Sequence, residues 1–279
     1  MTHPIYPCLW FNGQAQEAAR FYGSIFGNVK VLDENPLVIV FELDGVEIMG
    51  LNGGSRFQFN PSISFFVTCE TDKEVQHYWE RLTVGGQVLM PLDKYDWSEN
   101  YGWCNDKYGL SWQIYKGRMS DVNQRIVPLL MFANKQYGNA EKAVNYYSSL
   151  FENSRIEGIM HYGSENPATE GKVMHAQFVL NDRVFMAMDA PGEHPFEFNE
   201  AVSFVVECDT QEEIDKYWDA FTKNGQESMC GWCKDEFGVS WQIIPAVLKD
   251  LMADPDKRQR VTEAFLKMKK MELAVLLNA

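Results

Sequence analysis

The sequence has no long apolar run and no cluster of basic residues. Its uninterrupted apolar stretches stay under ten residues, whereas a helix that crosses a bilayer needs ~20. Lysine and arginine number 25 against 39 aspartates and glutamates, a net charge of −14. A surface this acidic repels phosphate backbones and anionic lipids. We therefore expect neither nucleic acid nor a membrane as a partner.

Cysteine is scarce, with six residues in 279. Most of the six lie inside apolar or aromatic runs, as buried thiols do. A chain of this length can bury its cores without disulfides. Residues 1–7 contain neither the basic nor the apolar region of a secretion signal. We expect reduced thiols and a cytoplasmic protein.

Three blocks of the sequence recur in the same order. Residues 11–26 are echoed by 132–151, residues 60–87 match 199–226 without a gap, and residues 102–114 match 231–243. Repetition in this order indicates a duplicated chain. We predict a first module over 1–118, a linker over 119–126, a second module over 127–245 and a helical tail over 246–279.

Each copy is itself built from two similar halves. A short apolar strand at 7–11 is followed by apolar residues at helical spacing over 15–26. Three strand patterns come next, and Asp44-Gly45 between the last two is typical of a hairpin turn. After Gly53-Gly54 the pattern begins again, and Thr71 with Glu74 forms a capping-box sequence before a second helix. The sequence therefore predicts an α+β fold made of four βαβββ units.

The two copies differ most in the segment before their third block. The first copy has 14 residues there (88–101) and the second has four (227–230). The longer segment contains the aromatic residues Tyr95, Trp97 and Tyr101. It is either a lid over a pocket or a longer hairpin whose aromatic side chains pack on each other.

The tail after residue 245 has apolar residues at helical spacing, including Phe265, Met268 and Leu273. Such a tail covers a module of its own chain or joins two chains, and its apolar stripe slightly favours a homodimer.

Several of these patterns carry a family resemblance. They are Phe21-Tyr22 with Phe26-Gly27, Tyr146-Tyr147 with Phe151, the block from Asp235 to Pro245, Met174-His175-Ala176 with Met188-Asp189, and the tail from Asp254 to Leu276. The chain resembles the vicinal oxygen chelate (VOC) superfamily of glyoxalase I, bleomycin-resistance proteins and extradiol dioxygenases. Within it, the sequence is similar to the PhnB-like branch, whose domain is described as demethylubiquinone methyltransferase-like. The resemblance implies modules in which paired βαβββ units form a U-shaped mixed sheet, with the active site on its concave face.

Metal-dependent relatives in this superfamily place histidine, glutamine or glutamate ligands on that face. Of these ligand types, the matching positions here hold two glutamines and no histidine or glutamate: Pro7, Pro128, Ser62, Ala201, Gln113, Gln242, Met49, Leu51, Met186 and Met188. Two amides cannot hold a hard divalent ion without a carboxylate or an imidazole. We therefore expect no metal and no cofactor.

The remaining polar candidates lie on strands. Gln113 and Ser111 alternate with apolar residues, as do Gln242 and Ser240, so each pair lines the cup if the apolar residues face the helices. His175 alternates with Val173 and Gln177 and faces either the cup or the outer layer. With Trp97 and Tyr101, these residues are the candidate ligand-binding set, and no catalytic residue is assigned.

The run Cys230-Gly231-Trp232-Cys233 matches the Cys-x-x-Cys spacing of redox and metal sites. In redox proteins this motif begins a helix, whose N-terminus lowers the pKa of a thiol, whereas here it falls on a predicted strand. No second pair of cysteines completes a four-sulfur zinc site. A structural role is therefore favoured.

Three functional hypotheses follow from the resemblance and the residues. The first is a metal-free small-molecule-binding protein with an aromatic-lined cup. The second is a VOC enzyme, such as a lyase, dioxygenase or resistance-type transferase, with an unrecognised site. The methyltransferase activity of the domain description is disfavoured because no glycine-rich turn joins a strand to a helix. The third is a scaffold whose first module is purely structural.

Overall fold

The computed structural model describes residues 3–27 and 29–279, which form two compact units. The large unit is Pro7–Val202, and the small unit consists of the residues before Pro7 together with Ser203–Ala279. Residues 1 and 2, which belong to the segment inspected for a secretion signal, lie outside the described residues. None of the described helices is both long enough and apolar enough to span a membrane.

The first copy forms the two βαβββ units that its apolar pattern predicts. Their elements are β1 (Tyr6–Phe11), α1 (Ala15–Phe26), β2 (Val29–Glu34), β3 (Val38–Leu43), β4 (Val46–Asn52), β5 (Ile63–Cys69), α2 (Asp72–Leu82), β6 (Gln87–Tyr95), β7 (Ser98–Asn105) and β8 (Ser111–Lys116). The β3–β4 hairpin turns at Asp44 and Gly45, with φ angles of 48° and 77°, which is the left-handed geometry of a tight hairpin turn. At the start of α2 the predicted capping box is confirmed, because Thr71 and Glu74 each accept the other's backbone N–H through a side chain.

The second copy repeats this order and ends in the helical tail. Its elements are α3 (Met119–Val122), β9 (Ile126–Phe132), α4 (Ala140–Leu150), β10 (Arg155–His161), β11 (Val173–Leu180), β12 (Arg183–Asp189), β13 (Val202–Cys208), α5 (Gln211–Thr222), β14 (Gln226–Glu227), β15 (Trp232–Lys234), β16 (Ser240–Pro245), α6 (Leu248–Ala253), α7 (Pro255–Phe265) and α8 (Leu273–Leu277). The Asp254 side chain caps α7 by accepting the Asp256 N–H, and Pro255 occupies the first helical turn.

The large unit contains a mixed eight-stranded sheet in the order β10-β11-β12-β9-β5-β8-β7-β6. At its centre β9 and β5 run antiparallel, with Leu129 opposite Ser64 and Val127 opposite Phe66. Strands β5–β8 belong to the first copy and β9–β12 to the second. The α+β class and the paired βαβββ units are confirmed, and the pairing joins the second half of one copy to the first half of the other. The sequence boundaries at 118 and 127 stay a prediction about the repeats.

Each unit also contains a four-stranded array. The large unit holds β1, β4, β3 and β2 in neighbouring order, with β1 and β4 parallel. The small unit holds β13, β16, β15 and β14 in neighbouring order, with β13 and β16 parallel.

Helices cover one face of the large unit's eight-stranded sheet. The Trp112 ring on β8 packs against the rings of Tyr22 and Phe26 on α1, with both centroid distances 5.4 Å. Because side chains alternate along a strand, Ser111 and Gln113 lie on the opposite face.

That opposite face is concave. The rings of Phe66 on β5 and His175 on β11 have centroids 6.2 Å apart, although β9 and β12 lie between their strands. Three strand spacings in a flat sheet would separate the two backbones by ~14 Å. The sheet therefore curls so that side chains from its two halves converge, as the predicted cup requires.

The long segment of the first copy is a hairpin extension. Strands β6 and β7 pair from Gln87 opposite Asn105 to Tyr95 opposite Ser98. At its tip Trp97 stacks on Tyr95 with centroids 5.0 Å apart. Local packing of the aromatic residues, one of the two interpretations of this segment, is what the structure shows.

The tail packs on its own unit. Met271 and Leu276 are buried, and the Lys270 Nζ lies 2.9 Å from the Asp215 carboxylate on α5. The carbonyls of residues 268 and 269 accept the N–H groups of Cys230 and Gly231, each at 2.8 Å. The tail thus covers a module, and the homodimer stays a prediction.

Candidate functional site

The concave face of the eight-stranded sheet is a continuous apolar cluster to which both copies contribute. Its buried members are Phe66, Tyr101, Val122, Val127, Leu129, Met131, Ala133, Val179, Val184, Met186 and Ala190, and Met90, Tyr95, Trp103, Tyr115, Met188 and Phe196 pack against them. Aromatic rings and methionine side chains together form a surface that accommodates flat apolar molecules.

A closed hydrogen-bond network crosses the first-copy half of this face. The Tyr101 hydroxyl donates to Gln113 Oε1 at 2.8 Å, and Gln113 Nε2 donates to Ser64 Oγ at 2.7 Å. The Trp103 indole N–H donates to Ser111 Oγ at 2.8 Å. Gln113 and Tyr101 therefore bond to each other on the predicted face, and Ser111 bonds to Trp103 there.

Trp97, at the hairpin tip, is 59% exposed. Its ring stands edge-on to that of Tyr101, with centroids 5.9 Å apart. The structure therefore places Trp97 at the rim of the aromatic cluster, in contact with its buried part.

His175 lies on the second-copy half of the concave face. It is half-buried and forms no hydrogen bond with any residue that the structure describes; its ring contact is with Phe66. Burial lowers the pKa of His175 below its ordinary value of 6.5. A neutral imidazole carries one donor nitrogen and one acceptor nitrogen, and both are available to a ligand.

His175 lines a cleft of about 650 Å³. Met160 and Gln177 share its wall, and the linker residues Asp121 and Asn123 border it. An adjoining cleft of about 310 Å³ has Val179 and Val184 in its lining, and Arg155 and Asn123 line both. The volume of the larger cleft falls within the range of small-molecule sites.

A β-bulge places a carboxylate at this cleft, which sequence reasoning missed. On β10, Ile156 lies opposite Phe178 and Gly158 opposite Gln177, so Glu157 is an extra residue. Its carboxylate accepts hydrogen bonds from Gln177 and, at 2.7 Å, from Arg155. Bulges redirect side chains next to functional sites, and regular alternation gives no indication of them.

In the small unit, Ser240 and Gln242 repeat the arrangement of Ser111 and Gln113. Gln242 Nε2 donates to Ser203 Oγ at 3.0 Å. Trp241, between them in sequence, packs on the opposite side against Phe221, with ring centroids 4.5 Å apart. The two candidate pairs thus lie in different units, the first pair in the large and the second in the small.

The Cys230–Cys233 run is not arranged as a redox site. All six cysteines are free thiols. Cys233 is buried on β15, and burial raises the pKa of both Cys230 and Cys233 above the ordinary thiol value. Since the thiolate is the reactive and metal-binding form, these cysteines fit the structural role.

Asp189, part of the resemblance, caps a helix. Its carboxylate accepts the N–H groups of Gly138 and Ala140 at the start of α4 and that of Val173, at 2.7, 3.2 and 2.9 Å. Its counterpart Asn52 accepts the Ala15 N–H at 2.9 Å at the start of α1. Asp189 and Asn52 therefore stabilise the starts of helices. In the resemblance formed by Met174-His175-Ala176 and Met188-Asp189, His175 remains the polar candidate for binding a ligand.

The residues of the concave face do not fit the divalent metal that the superfamily implies. The register places Pro128 opposite Phe65 on the helix-covered face, which corrects the first-strand position expected from the resemblance; Leu129 and Met131 occupy the concave face instead. The Gln113 amide already bonds to Tyr101 and Ser64. Within the described residues, no three His, Cys, Asp or Glu side chains are grouped to hold a metal.

The comparisons with known proteins fit this architecture. One family model matches the chain twice, over residues 3–115 and 124–244, and its description is 3-demethylubiquinone-9 3-methyltransferase. The chain belongs to this family. No curated protein matches it.

Two solved structures illustrate the relationship. The PhnB protein from Bacillus cereus, described as a 3-demethylubiquinone-9 3-methyltransferase, is 35% identical over 40% of this chain and 98% of its own length, with a TM-score of 0.38. Glyoxalase I from Zea mays is 10% identical, covers 91% of this chain and 97% of its own, and has a TM-score of 0.60. The second likeness shows the two-module VOC fold, and the family match shows the PhnB-like domain twice.

Proposed function

We propose that the concave face of the large unit binds a small organic molecule beside His175, without a divalent metal. The observation that carries this proposal is the His175 imidazole, which lines the 650 Å³ cleft without a hydrogen bond to any described residue. Both ring nitrogens of this half-buried side chain are therefore available to a ligand in the cleft, one as a donor and one as an acceptor.

The chemistry of the face defines the ligand. Phe66 touches the His175 ring, and Tyr115 packs on Phe66 with centroids 5.4 Å apart. Met186 and Met188 add polarizable, adaptable surface. This supports a flat apolar body that carries one hydrogen-bonding group directed at His175.

Methyl transfer, which the family description names, is not what we propose for this chain. A methyl-donor nucleotide of the usual kind binds a glycine-rich turn between a strand and a helix. The first-copy connections hold Asn12-Gly13-Gln14 before α1 and Glu70-Thr71 before α2, and those of the second copy are 133–139, with one glycine, and 209–210, with none. None of these sequences provides such a turn, so the residues do not fit that cofactor.

Calorimetric titration of a panel of hydroxylated and carboxylated aromatic compounds tests the proposal. His175→Ala should weaken binding of the best compound at least tenfold, as expected when a buried hydrogen bond is lost. The matched control is His161→Ala. His161 ends the same strand pair but bonds to Glu141 on α4, so this variant should bind like the wild type.

Titration of metal-depleted protein completes the test. Unchanged affinity after chelation supports the metal-free site. Equal affinity in His175→Ala and wild type, or binding that appears only with added metal, would contradict the proposal.

A further inference from the structure

The serine–glutamine pair of the eighth strand occurs in both copies, but only one pair has its hydrogen bonds completed by the protein. In the large unit, Gln113 Oε1 accepts the Tyr101 hydroxyl, and Ser111 Oγ accepts the Trp103 indole N–H, both at 2.8 Å. A phenol and an indole of the chain itself therefore complete this pair.

In the small unit the same two acceptors lack these partners. Gln242 is anchored through Nε2 to Ser203, as Gln113 is to Ser64. Its Oε1 forms no hydrogen bond with any described residue, and Ser240 Oγ is fully buried without a partner. Buried polar atoms in native proteins are nearly always hydrogen-bonded.

For Gln242 the cause is the shortened segment before β15, which removes the counterpart of Tyr101 and leaves Trp232 at the position of Trp103. The position equivalent to Tyr101 holds Cys230, whose φ of 61° places it in a left-handed turn. Its N–H is bonded to the Met268 carbonyl of the tail. A thiol is a weak donor, so the small unit has no counterpart of the Tyr101 phenol.

We infer that Ser203, Ser240 and Gln242 form a second binding site, which takes the hydroxyl group of an aromatic ligand. A phenolic hydroxyl can donate to Gln242 Oε1 and accept from Ser240 Oγ, so one group satisfies both atoms. Tyr101 in the large unit shows the same chemistry carried by the chain itself.

Other buried atoms without partners do not support a ligand in the same way. Thr68 Oγ1, Asn105 Oδ1 and Ser148 Oγ also lack a hydrogen bond. For the Ser240 and Gln242 pair, the other copy shows an aromatic donor in the corresponding place. The inference does not depend on the cleft at His175.

Titration with p-cresol, the tyrosine side chain as a free molecule, tests the inference. The wild type should bind p-cresol at least tenfold more tightly than 4-methylanisole, which has the same ring without the donor. Gln242→Leu should abolish this preference. The control Gln226→Leu should keep it, because this glutamine of the same unit is exposed on β14.

Ser240→Ala guards against a folding artefact, because it removes a hydroxyl that has no hydrogen-bond partner among the described residues. It should keep the wild-type melting temperature and weaken p-cresol binding severalfold. Absence of p-cresol binding by the wild type, or the same preference in wild type and Gln242→Leu, would overturn the inference. A preference that is lost only in His175→Ala would also overturn it while supporting the site in the large unit.

Discussion

At the residue scale, Asp106 shows which hydrogen bonds a motif of the family makes. Its carboxylate accepts the Tyr22 hydroxyl, the Trp112 indole N–H and the backbone N–H groups of Tyr108 and Leu110, at distances from 2.8 to 3.1 Å. In the second copy the Asp235 carboxylate likewise accepts the Trp241 indole N–H and the backbone N–H groups of Phe237 and Val239. The block that carried the resemblance is thus a structural turn that orients the helix-facing tryptophan.

His175 leads to a prediction about pH. Its folded-state pKa lies below its ordinary value of 6.5, because burial disfavours the charged imidazolium. As the pH falls below 6.5, the His175 side chain is protonated in the unfolded chain but stays neutral in the folded protein. Acidification therefore lowers the free energy of unfolding through this residue. His175→Gln should therefore lose less stability than the wild type between pH 7.5 and pH 5.5.

Urea denaturation at the two pH values measures this difference. Parallel losses in wild type and variant would show that His175 does not titrate abnormally. The readout concerns folding only, so it is independent of ligand identity.

Strand alternation placed Ser111 and Gln113 away from the helices only on the condition that their apolar neighbours face the helices, and the packing of Trp112 on α1 meets that condition. For His175 alternation left two faces open, and the contact with Phe66 decides between them. Glu157 was out of reach, because a bulge interrupts the alternation on which the reasoning rests.

At the scale of elements, the tail and the β6–β7 hairpin occupy equivalent roles. In the large unit β6 has nine residues along β7, whereas in the small unit β14 has two residues along β15. The tail supplies the carbonyls that bond to Cys230 and Gly231 just before β15. We conclude that the tail supports the small unit where its hairpin is short.

Removing residues 266–279 should therefore destabilise the small unit. The deletion exposes the surface that covers Met271 and Leu276, which are 1% and 0% exposed. Burial of two such side chains contributes roughly 3–6 kcal/mol. Chemical denaturation should show a loss of about 3 kcal/mol or more.

The matched control removes only Asn278 and Ala279, which lie beyond α8. It should change stability by less than about 0.5 kcal/mol. If the long deletion is equally harmless, the tail does not stabilise its own unit, and light scattering would then test whether it joins two chains.

Element-level predictions succeeded where the signal is local. The capping box at Thr71 and the turn at Asp44 each depend on a few neighbouring residues. The sequence did not decide whether the tail covers its own chain or joins two chains. Its apolar stripe indicates that it packs on another apolar surface but does not identify that surface.

At the scale of the whole molecule, the sheet of the large unit combines the two copies. Strand β5 is buried at every residue and pairs with β9 of the other copy. The sequence predicted two tandem modules, and repeated strands offer two equally good sets of partners. Neither hydrophobic periodicity nor helix caps specify which half of one copy pairs with which half of the other, because this pairing joins strands that are far apart in the sequence.

This arrangement predicts that the fragment 1–120 does not fold. The cut removes β9–β12, so β5 becomes an exposed edge and the concave cluster loses most of its side chains. The fragment should be insoluble or should lack a cooperative transition in thermal denaturation. Co-expression of 1–120 with 121–279 should restore a soluble complex, because the missing strands are then supplied.

A soluble fragment 1–120 that melts cooperatively would contradict the cross-copy sheet. An insoluble fragment that 121–279 cannot rescue would show that the continuous linker is required for pairing.

The most direct test of the proposed function is a crystal structure of the protein soaked with the tightest-binding aromatic compound. The account predicts density for the compound on the concave face of the large unit, with a polar atom within hydrogen-bond distance of His175 and its ring near Phe66. No anomalous signal from a transition metal should appear at that position. Density for the compound only elsewhere, or a metal ion bound on that face, would contradict the account.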